Sequence, residues 1–453
     1  MTKLDVTYDF SRGHPNESLL PVQEMQKAFA ILSTQSISNN VKNTDQDDTE
    51  NELRKSLNYG DESGSNCFKT EIASFLERNT LYDQKSSFDS TQDLSHVRNS
   101  NYPNKNDLFI TNGASHGIEL ICSLLSKPGD VVYVERPTYF LVADIFRNHG
   151  LILEPLPMLI NEHTLKGETK SDENDCKITD NRIDFDELER QLENNQKRAK
   201  FIYVIPTYQN PTSQTLPLED RERLAKLSTN FGIHVIADEV YHLLDWRDKN
   251  ESVARPARMC AFNNLHKDCR NDDNRGCCIS VSSFTKIFAP GVRVGWIEAP
   301  QHIIHLLESY GYIQSGGGVA PFIGNLIMHY LLKHHIVDAV LMRLRKAYER
   351  RCNLVCDILQ SDNLIDFQRP LGGYFIWIKF PDTIDLNEFL QFCLERKVKF
   401  RLGVDCDPFM SRNNGQSSTL SCARLCFADL QEEELEKGTK ELLLAFKDYF
   451  NAK

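Results

Sequence analysis

The residue with the most chemistry to offer is a lysine placed just past an apolar stretch. Ser282, Ser283, Phe284 and Thr285 lead into Lys286, and Arg293 follows seven positions later. A lysine at the end of a core strand is costly to bury unless it is used. Burial disfavours its charged form, and the neutral amine that results is a nucleophile towards an aldehyde. Ser283 and Arg293 offer one hydroxyl and one forked guanidinium, a pair suited to a phosphate. The competing reading is a surface loop with incidental Lys and Arg.

Three further clusters carry polar groups beside apolar runs. Asn210 and Pro211 close the run Ile205, Pro206, Thr207, Tyr208, Gln209. Here an amide could donate to a phenolate oxygen, although Asn-Pro is also an ordinary turn dipeptide. Asp238, Glu239 and Tyr241 follow Ile236 and Ala237. A carboxylate ending a buried strand is either a functional charge or a cap for the turn after it, and Glu239 is the neighbour that competes for the role. Asn112 and Gly113 precede Ala114, Ser115 and His116. A glycine turn from a strand into a helix exposes amide groups and a positive helix end, which together make a seat for phosphate.

These clusters need elements to position them. Leu108–Thr111, Val131–Val134 and residues 201–205, 235–237 and 279–281 read as short apolar strands. A helix is expected from Ala114. Another should end at Gly232, with Leu224, Leu227 and Phe231 on one face. A third should start at Asp184, which has Glu187 three residues on. Continuous apolar strands separated by helices predict an α/β fold, with a mostly parallel sheet covered by helices on both faces. Ligands of such sheets sit at the carboxyl ends of the strands, where all four clusters fall. After residue 299 the pattern changes to long helices, a strand over 374–380, another near Arg424, and a last helix capped by Asp429 and Glu432. This predicts a smaller α+β domain. The expected division is an N-terminal arm over 1–50, a large domain over 51–310 and a small domain over 311–453. The polar runs 38–51, 82–106, 161–182 and 247–276 read as surface insertions of low order.

The segment around Lys286 resembles the lysine signature of the class I, fold-type I, pyridoxal-phosphate aminotransferases, in the flavour of the kynurenine and 2-aminoadipate branch. The other clusters follow in family order from residue 13 to residue 424. The resemblance implies pyridoxal 5'-phosphate as cofactor, carried on the Lys286 amine. It gives Asp238 the ring nitrogen, Asn210 and Tyr241 the ring hydroxyl, and Tyr139 the ring face. Ala114, Ser115, Ser283 and Arg293 would take the phosphate, and Tyr59 would reach the phosphate of a neighbouring subunit. Arg424 would fork onto the substrate carboxylate, with Asn210 beside it, while Gly13 belongs to an arm that closes over the substrate. Lys286, Asp238 and Tyr241 are the expected catalytic residues. His116 lies near where many relatives carry Gln and reads as a residue that packs or supports the site from behind, Ser213 stands where the family often has Gly, and Arg12 is an open candidate for a distal carboxylate.

The implied activity is exchange of an amino group between an L-amino acid and a 2-oxo acid in a homodimer with shared sites, as part of amino-acid metabolism and biosynthesis. A β-lyase or synthase on the same scaffold remains the alternative, because fold does not fix reaction. An aminotransferase-like regulator is a remote one. It would need a DNA-binding module, and no basic segment of that size precedes Gly13. A formal net charge of −12 also argues against nucleic acid as the main partner. No apolar run approaches the length of a membrane span. The 13 cysteines lack any CxxC pair, so they read as reduced thiols of a cytosolic protein and not as a metal site. A mitochondrial location stays open.

Overall fold

The computed structural model describes residues 6–35, 53–80, 104–159, 182–194, 199–247, 257–264, 276–410 and 421–452. The polar run 38–51 lies outside them, as do most of 82–106 and 161–182. The chain begins with β1 (Tyr8–Asp9) and α1 (Val22–Gln35), then α2 (Asn66–Thr80). The large sheet is built from β2 (Leu108–Thr111), β3 (Val131–Val134), β4 (Ile152–Pro155), β5 (Ala199–Val204), β6 (His234–Asp238), β7 (Cys278–Ser283) and β8 (Gly295–Glu298). Between them run α3 (Ala114–Leu125), α4 (Phe140–Asn148), α5 (Phe185–Asn194) and α6 (Leu218–Phe231).

The strand order is β2-β8-β7-β6-β5-β3-β4. Only β8 runs against its neighbours, so the mostly parallel sheet expected from the sequence is present. Strands β2, β3, β6 and β7 are buried along their whole length, as a sheet covered on both faces requires. The reversal of β8 has a consequence for the site. The carboxyl ends of β2, β3, β5, β6 and β7 lie at one edge, and β8 enters the sheet from that same edge. Arg293, two residues before β8, is thereby delivered to the ends of the other strands.

Helix α5 is capped as predicted, with Asp184 Oδ1 accepting from the Glu187 amide at 3.0 Å. Helix α6 ends at Gly232, which takes the left-handed conformation at φ 67. The run 247–276 departs from expectation, because residues 257–264 are ordered. Met259 and Phe262 are fully buried in a short 3-10 helix. A polar average concealed an apolar patch strong enough to dock.

The second part has α7 (Gln301–Glu308), α8 (His329–Lys333) and α9 (Ile336–Leu359), then β9 (Asp366–Phe367), β10 (Phe375–Lys379), α10 (Leu386–Glu395), β11 (Val398–Lys399), β12 (Arg401–Leu402), β13 (Cys422–Cys426) and α11 (Glu432–Ala452). Strands β12-β13-β10-β9 form an antiparallel sheet, and β1 pairs with β11, which ties the N-terminal arm to this part. Asp429 does not cap α11. The helix starts at Glu432, the Gln431 carbonyl accepts from Leu435, and Glu434 accepts from the Gln431 amide at 2.9 Å. Asp429 faces Arg12 instead, at 3.5 Å. Among the described residues the cysteines are free thiols, all buried except Cys67, and no helix is long and apolar enough to cross a membrane.

Candidate active site

Asp238 ends β6 and is buried. Its Oδ2 accepts from the Tyr203 hydroxyl at 2.9 Å, while its Oδ1 is buried without a hydrogen-bond partner. Burial pushes the carboxyl up to about 6, and the hydrogen bonds from Tyr203 and the Val240 amide and the charge of Lys286 work against that rise. Tyr203 lies on β5 opposite Ile236, so it shares a face with Asp238, two residues on. The sequence reading passed over Tyr203, although a tyrosine inside an apolar strand has a polar tip that must find a partner.

Lys286 follows β7 and is partly exposed. Its Nζ donates to the Gly13 carbonyl at 2.7 Å and lies 5.2 Å from the centre of the Tyr374 ring. The Tyr374 hydroxyl in turn donates to the Lys286 carbonyl at 2.9 Å. Burial pulls the amine down to about 8, and the charges of Arg424 and Asp238 both reach it.

Arg424, in β13, is buried with its guanidinium 4.1 Å from the Phe375 ring centre. It donates to Asn210 Oδ1 at 2.9 Å and to the Ser11 carbonyl at 2.6 Å, while its Nε has no partner. Because the Asn210 oxygen is engaged, the Nδ2 side of the amide is left as a donor. Tyr139, at the start of α4, is near enough to Asp238 and Arg424 for their charges to act on its hydroxyl, which burial raises. Burial also raises Tyr241, within reach of Arg424, Asp238 and Tyr139. Lys286, Asp238, Tyr241, Tyr139, Asn210, Arg424 and Gly13 thus come from six segments of the chain into one place.

Beside them is a cationic cradle. Gly113 precedes α3 at φ 92, and a Cβ there would meet Arg293 Nη2 at 2.7 Å, so only glycine admits the guanidinium so close to the helix start. Arg293 donates to the carbonyls of Asn112 and Pro290 and to Thr285 Oγ1. Ser283 Oγ lies 2.7 Å from Thr285 Oγ1. A guanidinium and the positive end of α3, whose first residues are Ala114 and Ser115, share one spot, and such a pair is relieved by an anion. Thr285 is a further member of the cradle that the sequence reading did not single out, although it stands next to Lys286. His116 lies in the first turn of α3. Its Nδ1 accepts from the Asn112 amide at 3.0 Å, and burial lowers its pKa.

Tyr59 is not gathered in. It is 86% exposed and lines a cavity of about 590 Å³ together with Asn112, Tyr312 and Gly316.

The family model for aminotransferase class I and II matches residues 29–442. The chain belongs to that family. It is an enzyme that transfers amino groups with pyridoxal phosphate as cofactor. The aminotransferase is 26% identical over 345 residues to a 2-aminoadipate transaminase of Thermus thermophilus, covering 75% of each chain. It is 26% identical over 349 residues to an aromatic-amino-acid aminotransferase of Thermococcus litoralis, covering 76% of this chain and 73% of the relative. Its fold is similar to that of a kynurenine aminotransferase of Pyrococcus horikoshii, with a TM-score of 0.72 and 21% identity over 99% of this chain and 92% of the other.

Two features of the aminotransferase fit its cofactor. The buried, unpartnered Asp238 Oδ1 suits a protonated ring nitrogen, and the Arg293 cradle suits a phosphate.

Proposed function

We propose that this aminotransferase exchanges an amino group between an L-amino acid and a 2-oxo acid, with Lys286 as the amine that bonds the cofactor and then moves the substrate's α-proton. The observation that carries the reading is the pairing of Lys286, pulled down to about 8, with Asp238, which keeps a buried oxygen unpartnered. When bound, pyridoxal phosphate supplies an aldehyde that condenses with amines and a ring that accepts an electron pair.

The chain's own residues do the rest. With its proton held less tightly because of burial, Lys286 Nζ can both attack a carbonyl carbon and take up a proton. Asp238 would place negative charge at the ring nitrogen, and the Tyr203 hydroxyl keeps that carboxylate in place. Asn210 Nδ2 and Tyr241 would hold the ring hydroxyl, and Tyr139 would pack against the ring. Ala114, Ser115, Ser283 and Arg293 would hold the phosphate, with Thr285 hydrogen-bonded to the last two. Arg424 takes the substrate's α-carboxylate, and the arm at Gly13 excludes water.

We further propose that the enzyme is a homodimer in which Tyr59 of one copy completes the phosphate site of the other. The expected segments, 1–50, 51–310 and 311–453, would be its arm, large domain and small domain. The buried free thiols support a reducing compartment such as the cytoplasm. The likeness to a 2-aminoadipate transaminase and to an aromatic-amino-acid aminotransferase points to substrates with long or bulky side chains.

The test adds one amino acid at a time to the enzyme, without any 2-oxo acid. Transamination should release a single equivalent of the matching 2-oxo acid per site and then stop. Continued turnover with release of ammonia would identify a lyase instead.

A further inference from the structure

The turn that carries Asn210 is fastened at both ends to the start of β10. Tyr208 opens it at φ 51 and Ser213 closes it at φ 61. Both are non-glycine residues in the left-handed region, a conformation that costs free energy which glycine would not spend. At the first end, the Tyr208 ring lies against Gly372 and Gly373. A Cβ on Gly372 would meet the ring within 2.1 Å, and one on Gly373 would meet Tyr208 Cβ at 2.8 Å. At the second end, the Ser213 hydroxyl donates to the Phe375 carbonyl at 2.5 Å.

Phe375 is the residue through which this fastening reaches the site. Its ring is the floor under the Arg424 guanidinium, and its Cζ would lie 3.0 Å from a Cβ on Gly13. Arg424 also donates to Asn210, between the two fastened ends. The guanidinium therefore has an amide from the large sheet on one side and an aromatic ring from the small sheet on another. The Ser213 hydroxyl bonds the backbones that carry them.

We infer that Ser213 is a positioning residue for recognition of the substrate carboxylate, because its hydroxyl fixes Asn210 and the Phe375 ring in register around Arg424. The inference rests on the reading of Arg424 as the carboxylate fork. Loss of the hydroxyl leaves every charge in the site unchanged but lets the guanidinium's two supports drift apart.

The test compares Ser213→Ala, Ser213→Gly and Arg424→Lys in the holoenzyme. The probe is 3-phenylpropionate, a carboxylate with no amino group to react, and its Kd is measured by calorimetry beside kcat and KM for an aromatic amino acid. Ser213→Gly also removes the backbone cost of the left-handed serine, so it folds even if Ser213→Ala does not. Both serine variants should weaken the probe and raise KM by roughly five- to tenfold, the worth of one net hydrogen bond, with kcat falling by a clearly smaller factor, since Asn210 also serves the cofactor side of the site. An unchanged Kd in Ser213→Gly, with Arg424→Lys weakened, overturns the role of Ser213 alone. A fall in kcat that matches the rise in Kd overturns it too, because the hydroxyl would then serve the whole site. An unchanged Kd in Arg424→Lys overturns the reading of Arg424, and this inference with it.

Discussion

Lys286 Nζ donates to the carbonyl of Gly13 across 2.7 Å, so a residue of the N-terminal arm holds the amine that the proposed chemistry uses. The arm itself is tied down by the pairing of β1 with β11. The lysine therefore sits between the large sheet, which delivers it, and a segment anchored on the small one. A carbonyl acceptor orients an amine without neutralising it. The pull towards neutrality comes first from burial, and Arg424 adds to it.

The lysine's pKa gives the first expectation. Its ordinary value of 10.5 falls to about 8, so the reactive neutral amine becomes the major form above about pH 8 and is lost as pH falls below that. Capture of pyridoxal phosphate by the cofactor-free full chain, trapped with borohydride, should rise through about pH 8 and level off well before pH 10. Lys286→Ala should trap nothing at any pH. A borohydride-stable adduct on another lysine in that variant would remove Lys286 from its role.

Asp238→Asn should still bind cofactor but turn over on the order of a thousandfold more slowly, the scale of a loss of about 4 kcal/mol in the transition state. Near-normal turnover would move the role to another group. Glu239 is directed elsewhere: its Oε1 accepts from the Met259 amide and from Ser280, and its Oε2 lies 3.7 Å from His242 Nδ1. Tyr203→Phe tests the same carboxylate from the other side. The tyrosine's hydrogen bond favours the ionised form, so its removal should raise the Asp238 pKa above about 6. The acid limb of the kcat/KM profile should then shift to higher pH, and an unmoved limb would mean that Tyr203 only packs.

Much of this was legible in the sequence, and what was missed has physical reasons. Lys286, Asp238 and Asn210 announce themselves as polar residues at the ends of apolar strands, because burial makes a polar residue there conspicuous. Tyr203 was invisible for the opposite reason: tyrosine is a normal strand residue, and only the register opposite Ile236 shows which face it shares. The Asp429 cap failed because the spacing of a capping box is necessary but not sufficient, and Arg12 from the arm claimed that carboxylate. Residues 257–264 were missed because polar flanks diluted a short apolar patch. Arg293 was found as a cation, but its partnership with Gly113 depends on the reversal of β8, a fact of topology that spacing does not encode.

Tyr59 bears on oligomeric state. It is exposed in the single chain, yet it lines the same cavity as Asn112, whose carbonyl holds Arg293. A second copy could bring its own Tyr59 to that cradle. Mixing Tyr59→Phe with Lys286→Ala subunits should yield hybrid dimers with one site free of both lesions, and activity above that of either parent variant. Hybrids no more active than the parents would show that each site is complete within one chain.

The two arginines should divide substrate recognition between them. Arg424→Lys keeps the charge but loses the fork, and Lys cannot reach Asn210 and Ser11 together as Arg424 does. All amino acids should bind more weakly and by similar factors, roughly tenfold or more for the loss of a charge-assisted pair. Arg12 is different. It sits next to Gly13 on the arm, is more than half exposed, and rests against Asp429 at 3.5 Å. The pair is long and its guanidinium open to water, which makes it weak, about 1 kcal/mol or less, so a substrate's distal carboxylate can compete for the guanidinium at small cost. Arg12→Ala should therefore raise KM for glutamate and 2-aminoadipate by roughly tenfold and leave phenylalanine and kynurenine unchanged. Asp429→Asn should do the reverse for the acidic pair, lowering their KM, because Arg12 then has no resting partner and a nearby negative charge is gone. Steady-state kinetics on the four substrates in both variants decides the matter. Equal effects on acidic and aromatic substrates would reduce Arg12 to a clasp that holds the arm on the start of α11.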